Sequence, residues 1–275
     1  ICSRLSSSLS MTISFNMLGH HGRLGNQMFQ YATLKSIAMK HGYDFTIPPS
    51  DFNDAYHDHQ LFEGFELGSV PQENIRINNV DRRAEEGHFH FNQALYEQCP
   101  DNVDIFGYFQ TEKYFSEFAD EVKKDLTFKE SILSLAKEYR EQVGSDEVIS
   151  LHVRRGDYVN QPWHGCCPME YYQQALSMLD SNLPVIVFTD DPKWVLNENI
   201  FGSDRFFVSE GNSNLFDMCL MTLCDYHIIA NSSFSWWGAW LADSKKVIAP
   251  QRWFGPPLSE QNDVKDLVPD RWVKI

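Results

Sequence analysis

Two adjacent guanidinium groups stand in His152-Val153-Arg154-Arg155-Gly156-Asp157, directly after the apolar run Val148-Ile149-Ser150-Leu151. The run reads as a buried strand, so the arginines sit where a strand ends and a loop begins. In an α/β protein that edge is where ligands bind. A guanidinium fork donates two parallel hydrogen bonds and never loses its charge, so arginine there points to a phosphate or a carboxylate. The alternative is a structural ion pair between Arg154 and Asp157 in a tight turn.

Three further stretches carry polar groups at the same kind of position. Gly22-Arg23-Leu24-Gly25-Asn26-Gln27 lies between a strand and a helix. Its glycines let backbone approach a ligand and free a helix N-terminus to face it. The spacing is neither a dinucleotide fingerprint nor a P-loop. Asn26 either caps the helix or contacts ligand. Phe188-Thr189-Asp190-Asp191-Pro192 ends another strand. Adjacent side chains on an extended chain point to opposite faces, so the two acids do not share one metal ion. One inward carboxylate, Asp190, suits sugar or ribose hydroxyls, and the other starts the helix that Pro192 introduces. Asn231-Ser232-Ser233-Phe234-Ser235-Trp236-Trp237-Gly238 offers two hydroxyls and orphan amides at a helix start, a cradle for phosphate. Its tryptophans read mainly as core in a chain that is 14% aromatic.

Composition narrows the partners. The net charge of −15 over 275 residues argues against a nucleic-acid surface and against docking on anionic lipid. In so acidic a chain, a local pair of arginines is the more telling. Hydrophobic content of 43% supports real cores. No apolar run approaches the ~20 residues that span a bilayer. The serine-rich residues 1–10 read as a leader outside the fold, with the natural start near Met11. Six cysteines show no paired Cys-x-x-Cys pattern, and His164-Gly165-Cys166-Cys167 has the wrong spacing for a structural zinc site. Reduced thiols fit a cytoplasmic protein.

The elements that must position these groups follow an α/β rhythm. A strand over 11–17, the glycine loop, a helix over 26–40 and a strand over 43–47 predict a parallel sheet. Residues 48–104 show weak periodicity and read as irregular. Residues 115–142 read as one or two helices. After Gly144-Ser145-Asp146 the rhythm restarts. It places strands at 148–151, 185–188, 206–208, 226–230 and 247–249, and helices at 169–179, 214–223 and 234–241. The expected organisation is therefore an N-terminal α/β domain over 11–145 and a C-terminal Rossmann-like domain over 146–275.

Gly22-Arg-Leu-Gly-Asn-Gln-Met-Phe-Gln-Tyr-Ala32, Gly107-Tyr-Phe-Gln-Thr-Glu-Lys-Tyr-Phe115, His152-Val-Arg-Arg-Gly-Asp-Tyr158 and Asn231-Ser-Ser-Phe-Ser-Trp-Trp-Gly-Ala-Trp-Leu241 occur in this order. Together they resemble the α-1,2-fucosyltransferase family over most of the chain. The resemblance implies two Rossmann-like domains facing a cleft, the GT-B type of glycosyltransferase. It implies inverting transfer of L-fucose from GDP-fucose to the 2-hydroxyl of a terminal β-galactoside, with no cofactor and no metal. The acceptor would be a galactose-terminated oligosaccharide or a glycolipid precursor, met in the cytoplasm or at a membrane surface. By the same resemblance, extended to the core α-1,6 and protein O-fucosylating types, Arg154 holds the donor pyrophosphate and Asn26 joins it in catalysis. Those types read guanine with an aspartate whose pattern Asp217, Asp225 and Ser232 match. The resemblance thus implies guanine at Asp217 and phosphate at Ser232 and Ser233, with the donor held by residues 146–275 and the acceptor side over 11–145. Gly25, His152, Arg155 and Asp190 complete the implied donor site, with Gln110 and Glu112 on the acceptor side.

Departure of GDP leaves growing negative charge on the β-phosphate, which fixed donors stabilise in the transition state. Guanine presents adjacent N–H donors that a carboxylate accepts. Inversion needs one displacement and a base for the acceptor proton. The core-fucosylating type carries a glutamate where Pro162 stands here, so Asp157, His152 and Glu112 remain candidates, and Asp157 equally serves to orient Arg154. The rival readings are a fucosyltransferase of another linkage, a nucleotide hydrolase and a carbohydrate-binding protein without catalysis. Acceptor choice is expected to lie in residues 51–113.

Overall fold

The computed structural model describes residues 11–51, 58, 60–67, 69–72 and 82–275. The reading of residues 1–10 as a leader lies outside the described residues. Ile13 and Phe15 are fully buried about β1 (Thr12–Ser14). From there the chain turns through the glycine loop into α1 (Leu24–His41), then β2 (Asp44–Thr46), α2 (Gln60–Gly64), β3 (Arg83–Glu85), α3 (Gln93–Gln98) and β4 (Asp104–Phe106). The four strands form one parallel sheet in the order β2-β1-β4-β3. Residues 48–106 thus contribute two strands where the periodicity promised none. Each is three residues long, too short to display alternation.

Between Tyr114 and Gly144 the chain forms α4 (Ala119–Asp125) and α5 (Glu130–Gln142). The break has a cause. Phe128 pairs with Phe65 in an antiparallel bridge, their rings 4.7 Å apart, and Lys129 N–H bonds to Gly64 O. A continuous helix would forfeit that pairing.

The second half runs β5 (Ile149–Val153), α6 (Met169–Ser177), β6 (Val185–Thr189), α7 (Pro192–Asn197), β7 (Phe206–Val208), α8 (Asn214–Thr222), β8 (Tyr226–Ile228), α9 (Ser233–Leu241), β9 (Lys246–Ala249), α10 (Leu258–Gln261) and β10 (Val273–Lys274). Its six strands are parallel, ordered β10-β9-β8-β5-β6-β7. All five β5 residues are buried, as in a strand covered on both faces. Alternate residues serve the two faces. Val185 and Val187 pack with Tyr172 and Ala175 of α6 and Val195 of α7. Ile186 and Phe188 join the core that holds α8 and α9.

That second core does not stop at the sheet. It runs through Trp236, Trp237 and Trp240 of α9 to Phe29 of α1 and Phe115. Phe29 lies 4.5 Å from Trp236, and Phe115 stacks on Trp237 at 5.3 Å. The helix α1 is buried around nearly its whole circumference, because β1 and β2 cover one side and α9 covers another.

Candidate active site

Neighbouring strands β5 and β8 send the chain to opposite faces of the six-stranded sheet, β5 to α6 and β8 to α9. Such a switch point opens a crevice beyond the carboxyl ends of the strands, where α/β proteins bind ligands. Arg154 is the first residue beyond β5, Asp190 the first beyond β6 and Ser209 the first beyond β7. Ser232 caps α9, its Oγ accepting the Phe234 amide at 3.3 Å.

The arginine loop is tied by carboxylates. Arg154 bonds Asp190 and Asp157, and its guanidinium lies over the Tyr158 ring, 4.9 Å from the centroid. Asp190 Oδ1 also accepts the Arg155 amide at 2.8 Å. Both Asp190 oxygens therefore organise the loop, an occupation different from the sugar or ribose contact expected of it. Arg155 turns the other way. Its Nε reaches Asp191 Oδ2 at 3.2 Å and its guanidinium sits 4.0 Å from the Trp194 centroid. Asp191 Oδ1 accepts the Trp194 amide at 3.1 Å, capping α7 with Pro192 in its first turn.

His152 is buried at the end of β5, its Nδ1 2.7 Å from Ser235 Oγ. Burial, with Arg154 nearby, lowers its pKa to about 3. A neutral imidazole with so low a pKa is a poor base for a hydroxyl proton, which corrects its place among the candidate bases. Asn231 is buried beside Ser232 and holds the loops together, donating to the carbonyls of Gly165 and Trp253 at 2.9 and 3.0 Å. Asp217 stands in the first turn of α8. Its Oδ1 accepts from Ser209 Oγ at 2.7 Å, and burial raises its pKa to about 6. A carboxylate so desolvated suits a ligand that brings its own N–H donors.

The other wall comes from the four-stranded sheet. Arg23, not Asn26, is the N-cap of α1, and it makes no side-chain cap bond. Asn26 is the third residue of the helix and accepts from Gln110 Nε2 at 2.7 Å, so the capping alternative falls. Gly25 is where the two walls touch. A Cβ there would lie 2.5 Å from Ser233 Oγ and 2.8 Å from its carbonyl carbon. Glycine allows the N-termini of α1 and α9 to meet, which brings Asn26 and Gln110 to the serine loop. Glu112 does not join them. Its Oε1 takes Arg271 at 2.5 Å and its Oε2 takes Trp240 Nε1 at 2.9 Å. Both oxygens brace the fold, so the acceptor-side and base expectations for Glu112 meet a structural role instead.

Sequence reasoning passed over Tyr158, Ser235 and Glu86. The first two lie inside quoted motifs, and only the fold shows them against Arg154 and His152. A cavity of about 370 Å³ adjoins the crevice, lined in part by His164, Cys166, Cys167, Asn231 and Arg252. Burial raises the Cys167 thiol to about 11, so it stands there protonated. Among the described residues no group of three or more His, Cys, Asp or Glu converges as metal ligands do, and no helix is long and apolar enough to cross a membrane.

The family model of glycosyl transferase family 11 matches residues 4–275. An alpha-1,2-colitosyltransferase of Escherichia coli is 32% identical, over 92% of this chain and 96% of that protein. The galactoside 2-alpha-L-fucosyltransferase SEC1 of Bos taurus is 28% identical, over 82% of this chain and 64% of that protein. Among solved structures, POFUT1 in complex with GDP-fucose superimposes with a TM-score of 0.52 over 85% of this chain and 95% of that one. At 13% identity the last likeness is one of fold.

Proposed function

The chain belongs to glycosyl transferase family 11, and from that premise we propose that it moves L-fucose from GDP-fucose to the 2-hydroxyl of a terminal β-galactoside with inversion. The observation that carries the reading is Arg154, held at the β5–β8 switch point opposite the N-terminus of α9. In this reading the molecule is a GT-B glycosyltransferase, its two Rossmann-like domains divided near Gly144. The donor diphosphate lies between Arg154 and Ser232-Ser233, and guanine reaches Asp217. The acceptor O2 attacks the fucose anomeric carbon as the carbon–phosphate oxygen bond breaks, and the electron pair leaves with GDP. The arginine and the first amides of α9 bind that growing charge better than the ground state. His152 and Glu112 are otherwise engaged, and Asp157, itself bonded to Arg154, either takes the acceptor's proton or orients the arginine.

No cofactor or metal enters this scheme. The free thiols of Cys99, Cys166, Cys167, Cys219 and Cys224 support a cytoplasmic site of action on an oligosaccharide or glycolipid precursor. A second reading has its own support. One relative is an alpha-1,2-colitosyltransferase, so the sugar moved is either fucose or colitose. Incubating the protein with GDP-fucose, and separately with GDP-colitose, in the presence of lactose decides between them. The expected product is α-1,2-linked fucosyl-lactose, identified by NMR and formed equally with EDTA present. Product only from GDP-colitose would install the second reading. Fucose release at one rate with or without lactose would make the protein a hydrolase, and chelator loss restored by manganese would overturn the metal-free scheme.

A further inference from the structure

Residues 107–110 leave the carboxyl end of β4 beside the loop that leaves β1, so both lie at the ligand-binding edge of the four-stranded sheet. Their backbone is costly. Phe109 has φ of 54°, a left-handed conformation that side chains other than glycine adopt at about 1–2 kcal/mol. What holds it is a buried carboxylate. Glu86 Oε2 accepts the amides of Tyr108 and Phe109, each at 3.0 Å, and Oε1 takes the Tyr114 hydroxyl at 3.3 Å. The close approach needs Gly107, where a Cβ would lie 2.6 Å from Glu86 Cβ. Phe109 fills the core against Phe15 and Tyr114.

The consequence is an outward turn at Tyr108. Tyr108 is 39% exposed, one of few large hydrophobic residues left so open among the described residues. It stacks on His21 of the glycine loop, centroids 4.3 Å apart and planes 26° apart. Two residues on, Gln110 reaches inward to Asn26. A strained loop clamped from below thus presents an aromatic face and, beside it, an amide pair at the wall opposite Arg154. Strain of this kind is retained where the surroundings fix a functional geometry.

We propose that Tyr108, backed by His21, is the platform on which the acceptor galactose stacks, with Gln110 and Asn26 meeting its hydroxyls. A β-galactoside suits the surface. Its axial 4-hydroxyl leaves the opposite pyranose face with only C–H groups, an apolar patch that an aromatic ring covers. The assignment deepens the fucosyltransfer reading and rests on it for the identity of the sugar. It makes Tyr108 a determinant of acceptor affinity with no part in donor binding.

The test is Tyr108→Ala against Tyr108→Phe. Lactose binding is followed by ligand-observed NMR, GDP binding by calorimetry, and transfer kinetics with GDP-fucose and lactose. Tyr108→Ala is expected to raise the lactose dissociation constant and KM about tenfold, while GDP affinity stays that of the parent. Tyr108→Phe keeps the ring and restores parental lactose affinity. Lactose constants unchanged in Tyr108→Ala would overturn the platform even if transfer itself is confirmed. Lactose binding that Tyr108→Ala abolishes, in a protein that transfers no fucose, would keep the platform and sink the fucosyltransfer reading. A failure of Tyr108→Phe to rescue would also overturn stacking, because the hydroxyl would then carry the effect.

Discussion

The arginine loop after β5 and the 107–110 loop after β4 occupy equivalent edges of two parallel sheets, yet opposite electrostatics hold them. Around Arg154 the carboxylates of Asp157 and Asp190 are partly open to solvent, with side-chain exposures of 41% and 27%. Ion pairs so placed are weakened by water and salt, and each contributes ~1 kcal/mol or less to stability. Their purpose fits charge that must be offered to a ligand, since a guanidinium loosely matched by carboxylates keeps donors to give. Glu86 lies instead at 5% exposure and spends both oxygens on its own neighbours. Breaking such a buried arrangement leaves amides unpaired, at about 1–3 kcal/mol each. One loop displays charge and the other displays shape. The first tolerates solvent, and the second depends on excluding it.

The largest effect expected from that contrast falls on Arg154. Arg154→Ala removes the guanidinium that the proposed function sets against the leaving phosphate and should lower kcat by roughly 100- to 1,000-fold. Arg154→Lys should recover little of it, because an ammonium keeps the charge but loses the planar fork. The melting temperature of both variants should fall by no more than about 4–8 °C, as expected for the loss of two weak ion pairs. Thermal melts showing Arg154→Ala unfolded at 25 °C would turn the loop into a structural ion pair and erase the contrast.

How far each loop could be read beforehand follows from the same physics. Arg154 and Asp157 are local neighbours on an apolar strand's end, and parallel strands such as Ile149–Val153 announce themselves by unbroken burial. Asp190 and Ser232 stand in comparable positions, so this group of polar residues was legible as a set of strand ends. The clamp of the other loop was not, because Glu86 lies 22 residues before Tyr108 in a stretch of three-residue strands. Nothing local distinguishes that carboxylate from Glu85 beside it, which is exposed. Glu112 failed in the reverse sense. Its motif placed it with Gln110, but only the fold brings Arg271 and Trp240 to its oxygens.

The next effect tests the buried clamp through pH. Burial lifts the Glu86 carboxyl from its ordinary 4.5 to about 7, partly offset by the amides of Phe109 and Tyr108 and by Tyr114. Between those values the folded chain holds a proton that the unfolded chain has released, so unfolding free energy falls as pH rises through the window and levels above it. His152 and His227 act oppositely. Burial lowers them to about 3 and about 4, so the unfolded chain binds their protons first and stability rises with pH up to about 6.5. The net slope mixes these terms, but a comparison of variants isolates one. In Glu86→Gln the amide oxygen can still accept from Tyr108 and Phe109, while no proton is taken up. Urea unfolding at pH 5, 6, 7 and 8 should show parent stability falling relative to Glu86→Gln as pH rises from 5 to 7. Parallel curves for the two proteins would mean that Glu86 does not titrate in this range and that its clamp is not a buried carboxyl.

The smallest effect belongs to Glu112, and it guards the boundary between the two regions. Its partner Arg271 is 56% exposed, so the ion pair itself adds ~1 kcal/mol or less. The Trp240 N–H bond adds a charge-assisted contribution of about 1.5–3 kcal/mol, part of which a glutamine carbonyl retains. Glu112→Gln should therefore lower stability by roughly 1–2 kcal/mol in a urea melt. The kcat and both KM values should remain those of the parent, because the side chain points from the motif toward α9 and the C-terminal segment, not toward Asn26. A tenfold rise in lactose KM in this variant would return Glu112 to the acceptor wall. The division between a Glu86-clamped aromatic face and a Glu112 brace would then have been drawn in the wrong place.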